Sequence, residues 1–332
     1  MNIHKYPTLS SLAFAIFRTH FIKEDTIPQL TGQIAKDIRL SYTGGAVDMY
    51  KPNNEDEKIF AYDVNSLYPF TMDDKPMPVG NPIFFKGDIR KVDQNAYGFF
   101  FCNIETPTEL LHPIIQTHIK TDAGIRTIAP LGEWSDMIFS EEINNAIKLG
   151  YKFEILWGYK FEKENIFKDY VQTLYDLRTK YPKSNPLNLI AKLLLNSLYG
   201  RFGMIDSFPD ITIFEDRNSY EKFLDNTSID IFDTIQLGDK TLVKYRSEDK
   251  DQQTMLYGNL ETHNTNVAVA SAITAYARIH MSQFKNNSDY ILYYTDTDSA
   301  FTDSELDENL IDPKVLGKLK LEYTCEKAIS NS

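Results

Sequence analysis

The chain has 332 residues, 42% hydrophobic and 25% charged, a composition that suits a folded chain with room for more than one domain. Its formal net charge of −12 argues against an all-over nucleic-acid binder, because contacts to phosphate need Lys and Arg. No apolar run reaches the ~18–20 residues of a spanning helix, and Cys102 and Cys325 are too few for a disulfide scaffold or a four-cysteine zinc site.

Along the chain, "MNIHKYPTLSSLAFAIFRTHF" (1–21) carries a short apolar stretch without an Arg-rich transit pattern or a signal-peptide cleavage site. "IFAYDVNSLY" (59–68) reads as a buried strand ending near Asp63, with a break at Pro69. Residues 76–132, rich in Pro, Gly and aromatics with runs such as "NAYGFFFCNIE", read as an inserted β-subdomain. "SEEINNAIKLG" (140–150) predicts a helix capped by Ser140 and stopped at Gly150, and "YKFEILWGYKF" a strand. Two helices follow, over "ENIFKDYVQTLYDLRTKY" and "PLNLIAKLLLNSLYG", parted by the turn-rich "PKSNP". Residues 206–262, with thirteen acids against six bases, read as a second insertion or an acidic surface excursion. "NVAVASAITAYARIHMSQF" (266–284) is a helix of small residues, and "YILYYTDTDSAF" (290–301) a strand that turns at its acidic centre. Charge is uneven: residues 151–205 hold nine Lys and Arg against five acids, a basic patch inside an acidic chain.

The acidic turn carries the sharpest chemical signal. Asp296 and Asp298 stand two apart at the end of an apolar strand, and like charges so close raise each other's pKa unless a cation intervenes. Asp63 ends a second apolar strand; laid beside the first, it would meet Asp296 and Asp298 in the arrangement that holds two Mg²⁺ ions. Taken alone, D-T-D-S suits a solvated turn equally well. On "LIAKLLLNSLYG", Lys192, Asn196 and Tyr199 share one helix face, with Leu189, Leu193 and Leu194 expected on the buried side. Cation, amide and phenol together suit a triphosphate and a stacked base, against the plainer alternative of a solvated polar face.

In this order, "DVNSLYP" (63–69), "KLLLNSLYG" (192–200) and "YTDTDS" (294–299) resemble the three polymerase motifs of family B DNA polymerases. The two N-S-L-Y strings narrow the resemblance to the protein-primed branch of bacteriophages and mitochondrial linear plasmids, whose Tyr-x-Gly-Gly segment is similar to "YTGG" (42–45). "IDPKVLGKL" (311–319) resembles the stretch after the third motif. The resemblance implies an α+β right-hand fragment: a palm of antiparallel sheet with packed helices, a two-helix fingers subdomain and two inserts. Its parts would be a lead-in at 1–58, palm at 59–80 and 263–332, a first insert at 81–160, fingers at 161–205 and the acidic insert at 206–262. It further implies that Asp63 and Asp298, with the Val64 backbone, ligate two Mg²⁺ ions (or Mn²⁺) and that Asp296 supports them. Tyr68 would lie under the incoming sugar and exclude a 2′-hydroxyl. Lys192 and Arg178 would hold the triphosphate, and Asn196 and Tyr199 would line the base-pair pocket. Tyr42, Gly44, Gly45 and Arg201 would touch the template strand.

The implied partners are primed template DNA, deoxynucleoside triphosphates and a terminal priming protein, with no membrane; the implied compartment is the mitochondrion, a phage or viral origin being the alternative. The pattern departs from the family at both ends. The ~40 residues before "YTGG" fit no exonuclease motif, and after "LEYTCEKAISNS" neither the Lys-x-Tyr motif nor a thumb follows, so the expectation is synthesis without proofreading. Two readings stand open: an active polymerase core, or a remnant that folds and binds metal or DNA but extends no primer. A metal nuclease would leave Lys192, Asn196 and Tyr199 unexplained.

Overall fold

Ile59–Val64 (β2) is buried at every position except half-buried Asp63, as a continuous apolar run requires of a strand inside a sheet. In the computed structural model, which describes residues 6, 8–54, 58–122, 124–204, 210–226, 229–247 and 265–326, it lies in a five-stranded antiparallel sheet. Its neighbours are Ser299–Thr302 (β13) on one side and Leu319–Cys325 (β14) on the other; Leu292–Asp296 (β12) and the short edge strand Val47–Met49 (β1) extend the sheet beyond β13. The fold is mixed α and β with antiparallel sheets.

Helices cover this sheet and fill the core. Val267–Ser282 (α8) is buried everywhere except Ile279 and His280, and its alanines let neighbouring elements come close. Asn266 caps it, its side chain accepting from the amides of Ala268 and Val269. Leu9–His20 (α1) sends Phe14 and Phe17 against Lys168–Lys180 (α5) and Pro186–Phe202 (α6), where Phe17 meets Phe167 with ring centroids 4.7 Å apart and Phe14 meets Phe202 at 5.1 Å. Gly32–Leu40 (α2) packs on α8 through the segment that follows it, Ser41 Oγ lying 2.8 Å from Ser271 Oγ.

Leu67–Asp74 (α3) follows β2 directly and holds Pro69 within its first turn. The expected break at Pro69 is therefore a helix start: first-turn amides have no intrahelical acceptor, so a missing N–H costs nothing there. Met77–Lys86 (β3), Gly98–Thr106 (β4), Gly132–Phe139 (β7) and Lys152–Glu164 (β8) form a four-stranded antiparallel sheet in the order β3-β8-β4-β7, with Thr117–Thr121 (β5) and Gly124–Ile128 (β6) as a separate hairpin. This sheet begins at Met77 and ends at Glu164, four residues beyond 81–160 on each side. Ser140–Ile147 (α4) is capped at Phe139 and not at Ser140, whose Oγ instead accepts from the Gly98 amide at 3.1 Å.

Residues Met204–Thr265 form a second compact unit apart from Met1–Gly203 with Asn266–Ser332. Within it Asp210–Phe214 (β9), Ile229–Leu237 (β10) and Lys240–Ser247 (β11) pair antiparallel in the order β10-β11-β9, and Arg217–Leu224 (α7) lies between β9 and β10 in sequence, its Asp216 cap accepting from the Ser219 amide.

Candidate active site

The β12–β13 hairpin reverses in two residues, and Thr297 takes a positive φ of 53° to allow it. A Thr there is strained, and such strain persists only where surrounding contacts enforce it. They do: the Thr297 amide donates to Ala46 O at 3.0 Å, and Gly45 packs so closely that a Cβ there would lie 2.6 Å from Thr297 Cγ2. The antiparallel register puts Ser299 opposite Asp63, and the Val64 amide donates to the Asp298 carbonyl at 2.8 Å. Asp63 near the end of β2 and Asp298 in the turn just before β13, 235 positions apart in sequence, are thereby neighbours.

Their electrostatics follow from that placement. Burial, reinforced by the Asp63 charge, pushes the Asp298 carboxyl up to about 6. Burial also raises Asp63, opposed by the Lys320 ammonium 3.4 Å away on β14 and, more weakly, by Lys192. Lys320 in turn pairs with Glu322. Asp296 adds a weaker push on Asp298 from the exposed strand end, where the Thr297 and Tyr294 hydroxyls approach it at 3.3 and 3.4 Å.

Ser66, between β2 and α3, also takes a left-handed conformation, φ 52° and ψ 60°. Its hydroxyl accepts from Arg178 Nη1 on α5 at 3.0 Å, tying the helical pair to the end of β2. Asn65 turns the other way, its side-chain amide donating to Asp312 O at 2.6 Å and its backbone bonding to Lys318 O and the Gly317 amide, so it locks the 312–318 loop over the strand end. Tyr68 stacks on Tyr199 of α6 with centroids 4.1 Å apart and planes 25° off parallel. Lys192 and Asn196 stand exposed on the same helix as half-buried Tyr199. Of the leucines expected on the buried side, Leu194 is 7% exposed, but Leu189 and Leu193 are 55% and 41% exposed. The arc that packs is Ala191, Leu194, Leu195, Leu198 and Phe202, at the 3- and 4-residue spacing of one stripe.

Tyr42, Gly44 and Gly45 lie at the other side of the hairpin. The Tyr42 ring fills the space over Gly203 at the end of α6, where a Cβ would come within 2.5 Å of its hydroxyl. Arg201 lies over the Phe14 ring at 5.9 Å. Two residues that motif reading passed over organise this region. Arg278 on α8 donates through Nη1 to the carbonyls of Thr43 (2.7 Å) and Gly44 (2.9 Å) and through Nε and Nη2 to Glu142 of α4 (2.9 Å each). The signal in the sequence was a lone arginine on an otherwise apolar helix, which must find a partner if the helix is buried. Lys320 is the second; the alternation of β14 puts it on the face of Asp63.

Among the described residues no group of three or more His, Cys, Asp or Glu stands together as a ready metal cage. The donor set at Asp63 and Asp298 is two hard carboxylates beside backbone, and burial raises the pKa of both, the Asp63 charge adding to the rise at Asp298. That fits Mg²⁺, which binds through one or two carboxylates and keeps its other positions for water and phosphate.

Comparison with known proteins gives the family. The family model for DNA polymerase type B, organellar and viral, matches residues 1–291. A probable DNA polymerase of Neurospora intermedia is 39% identical over 333 residues, across 98% of this chain and 33% of its own length. The DNA polymerase of Bacillus phage Nf is 30% identical over 318 residues, across 91% and 49%. The chain thus spans a third of that fungal relative and about half of the phage one. Phi29 DNA polymerase shares the fold: TM-score 0.71 for its orthorhombic crystal form at 22% identity, covering 96% of this chain and 53% of that one, and 0.66 for its complex with primer-template DNA and incoming nucleotide substrates. This chain belongs to the type B DNA polymerases of the organellar and viral kind.

Proposed function

We propose that these residues form the nucleotidyl-transfer centre of a DNA-directed DNA polymerase, joining deoxynucleotides to a primer 3′-hydroxyl or to a hydroxyl of a priming protein. The observation that carries it is the meeting of Asp63 on β2 with Asp298 in the turn before the paired strand β13, beside the Tyr68–Tyr199 stack, at a site whose charge Lys192 and Lys320 only partly offset. Asp63 and Asp298, with the Val64 backbone, would hold two Mg²⁺ ions, Mn²⁺ able to substitute; bound there, such ions neutralise the triphosphate and make the primer hydroxyl a better nucleophile. Asp296 acts indirectly, through the hydrogen bonds it accepts at the turn.

The chain's own residues do the rest. Lys192 presents a cation to the phosphates, and Arg178 holds Ser66 and so fixes the start of α3, its remaining N–H groups available to the same phosphates. Tyr199 offers a face for base stacking beside Asn196, and Tyr68, pinned by Tyr199, sets a wall against a 2′-hydroxyl. Tyr42, Gly44, Gly45 and Arg201 border the template path. Proofreading is not among the activities assigned to these 332 residues. Every residue of the proposed centre is present, so nothing in it favours the reading as an inactive remnant. The fungal and phage kinship makes a mitochondrial plasmid or a virus the proposed setting, and among the described residues no helix is long and apolar enough to cross a membrane.

Primer extension on a primed template with Mg²⁺ or Mn²⁺, wild type beside Asp298→Ala, tests the proposal. Extension by the wild type and a loss of at least 10³-fold in the variant is the expected result. Equal extension by both would remove Asp298 from the centre.

A further inference from the structure

The segment 42–46 touches the catalytic turn and is itself held from below. Arg278 is 4% exposed and Glu142 7% exposed, and the two make a bidentate pair inside the core. A buried ion pair of this kind is often no more stabilising than well-packed apolar residues of the same volume. Here the guanidinium has a second task. Its remaining nitrogen spends both hydrogens on the carbonyls of Thr43 and Gly44, fixing which way that backbone faces. Two residues later Ala46 O accepts from the Thr297 amide, and Gly45 leaves only the room that Thr297 occupies. Thr297 is the strained residue of the hairpin, one position before Asp298. An unbroken series of contacts therefore runs from α4 through α8 and the 42–46 segment to the turn that carries the carboxylate.

We propose that Arg278 and Glu142 are positioning residues for Asp298, acting through the carbonyls of Thr43 and Gly44 and the contact of Gly45 and Ala46 with Thr297. The Tyr-x-Gly-Gly segment on this view is a strut of the catalytic turn as well as a border of the template path. The inference rests on the two-carboxylate centre proposed above.

The double variant Arg278→Met/Glu142→Met replaces the pair with apolar side chains of similar reach and keeps the core filled. Amide hydrogen exchange of the full chain, without metal, reads the effect on peptides covering 42–46 and 294–299. We expect exchange at least tenfold faster in both peptides, with Tm within about 3 °C of wild type, and Mn²⁺ binding followed by its EPR signal weakened about tenfold. Gly45→Ala leaves the buried pair alone and presses directly on Thr297; it should speed exchange in 294–299 to a similar extent. Unchanged exchange in 294–299 in Gly45→Ala overturns the inference, as does faster exchange confined to 42–46 in the double variant. Should the double variant fail to fold, Gly45→Ala and Glu142→Gln, which keeps shape and loses charge, decide it by the same exchange readout. Wild type that binds no Mn²⁺ while exchange responds as expected would strike the metal centre and leave the positioning contact standing.

Discussion

At the scale of single residues, Asp298 sets the pH behaviour. Its carboxyl is raised to about 6, first by burial and then by Asp63, so the folded chain holds a proton that the unfolded chain has released. The cost of ionising it is absent below the unfolded value near 4 and fully present above about 6; the metal-free fold therefore loses stability as pH rises across that window. Solvent reaches part of the group and screens the repulsion, so Asp298→Asn should gain about 1 kcal/mol at pH 7, or about 2 °C in Tm, and nothing at pH 4. A gain of equal size at both pH values would show that the charge is not the cause. The same proton competes with a cation, so Mn²⁺ affinity should fall about tenfold per pH unit below 6 and level off above it; a flat titration from pH 5 to 8 would contradict the assignment. Tyr68 makes a separate claim. Tyr68→Val removes the ring stacked on Tyr199 and should lower the preference for deoxy- over ribonucleotides by about 10²-fold in single-nucleotide incorporation; an unchanged ratio would take Tyr68 out of the sugar pocket. These residues were legible because motif chemistry is local in sequence. Arg278 was not, since its acceptors lie at 43, 44 and 142 and only the folded chain brings them together.

At the scale of elements, periodicity found most of the helices and strands and misjudged what covers them. Beside its Lys192–Asn196–Tyr199 face, helix α6 carries two apolar arcs: Leu189, Ile190 and Leu193 on one, Ala191, Leu194, Leu195 and Leu198 on the other. Sequence alone offers two arcs of equal hydrophobicity, and the choice is made by α1 and α5, whose Phe14, Phe17 and Tyr170 pack toward the second; the Tyr170 hydroxyl donates to Leu194 O at 3.0 Å. Ser140 and Pro69 misled for a related reason. Capping and breaking are preferences of the isolated chain, and a tertiary partner such as the Gly98 amide can claim the hydroxyl first. The hairpin of Asp296 and Asp298, by contrast, was readable, because an acidic pair at the end of an aromatic run has few places to go but a turn. A pair of substitutions checks the account of α6. Leu195→Ala, at a fully buried position, should cost about 2–5 kcal/mol in urea denaturation, while Leu189→Ala, half exposed, should stay within about 0.5 kcal/mol. Similar costs for the two would mean that the second arc is not the packed one.

At the scale of the whole molecule, the acidic stretch at 206–262 stood out by charge alone, yet its organisation did not, because apolar alternation in its strands does not say which face is covered. The structure shows why. Ile211, Ile213, Ile231 and Ile235 of the three-stranded sheet are 40–59% exposed, and among the described residues of the 204–265 unit only Val243, at the centre of β11, is fully buried. A unit this small with so thin a core is marginal, since the area it removes from water scarcely offsets the entropy of ordering it. The larger unit has its own core of aromatic side chains around α8 and needs no side chain of the smaller one to complete the Asp63–Asp298 pair. Val243→Asp should therefore melt the small sheet selectively. A charge at that position has no partner to offset its burial, and the cross-strand contacts to Thr212 and Thr234 on either side cannot supply one. Limited proteolysis should cut within 204–265 at least tenfold faster than in wild type, while the main calorimetric transition shifts by no more than about 1 °C and Mn²⁺ binding is retained. Loss of the main transition together with the small sheet would mean that the two units fold as one.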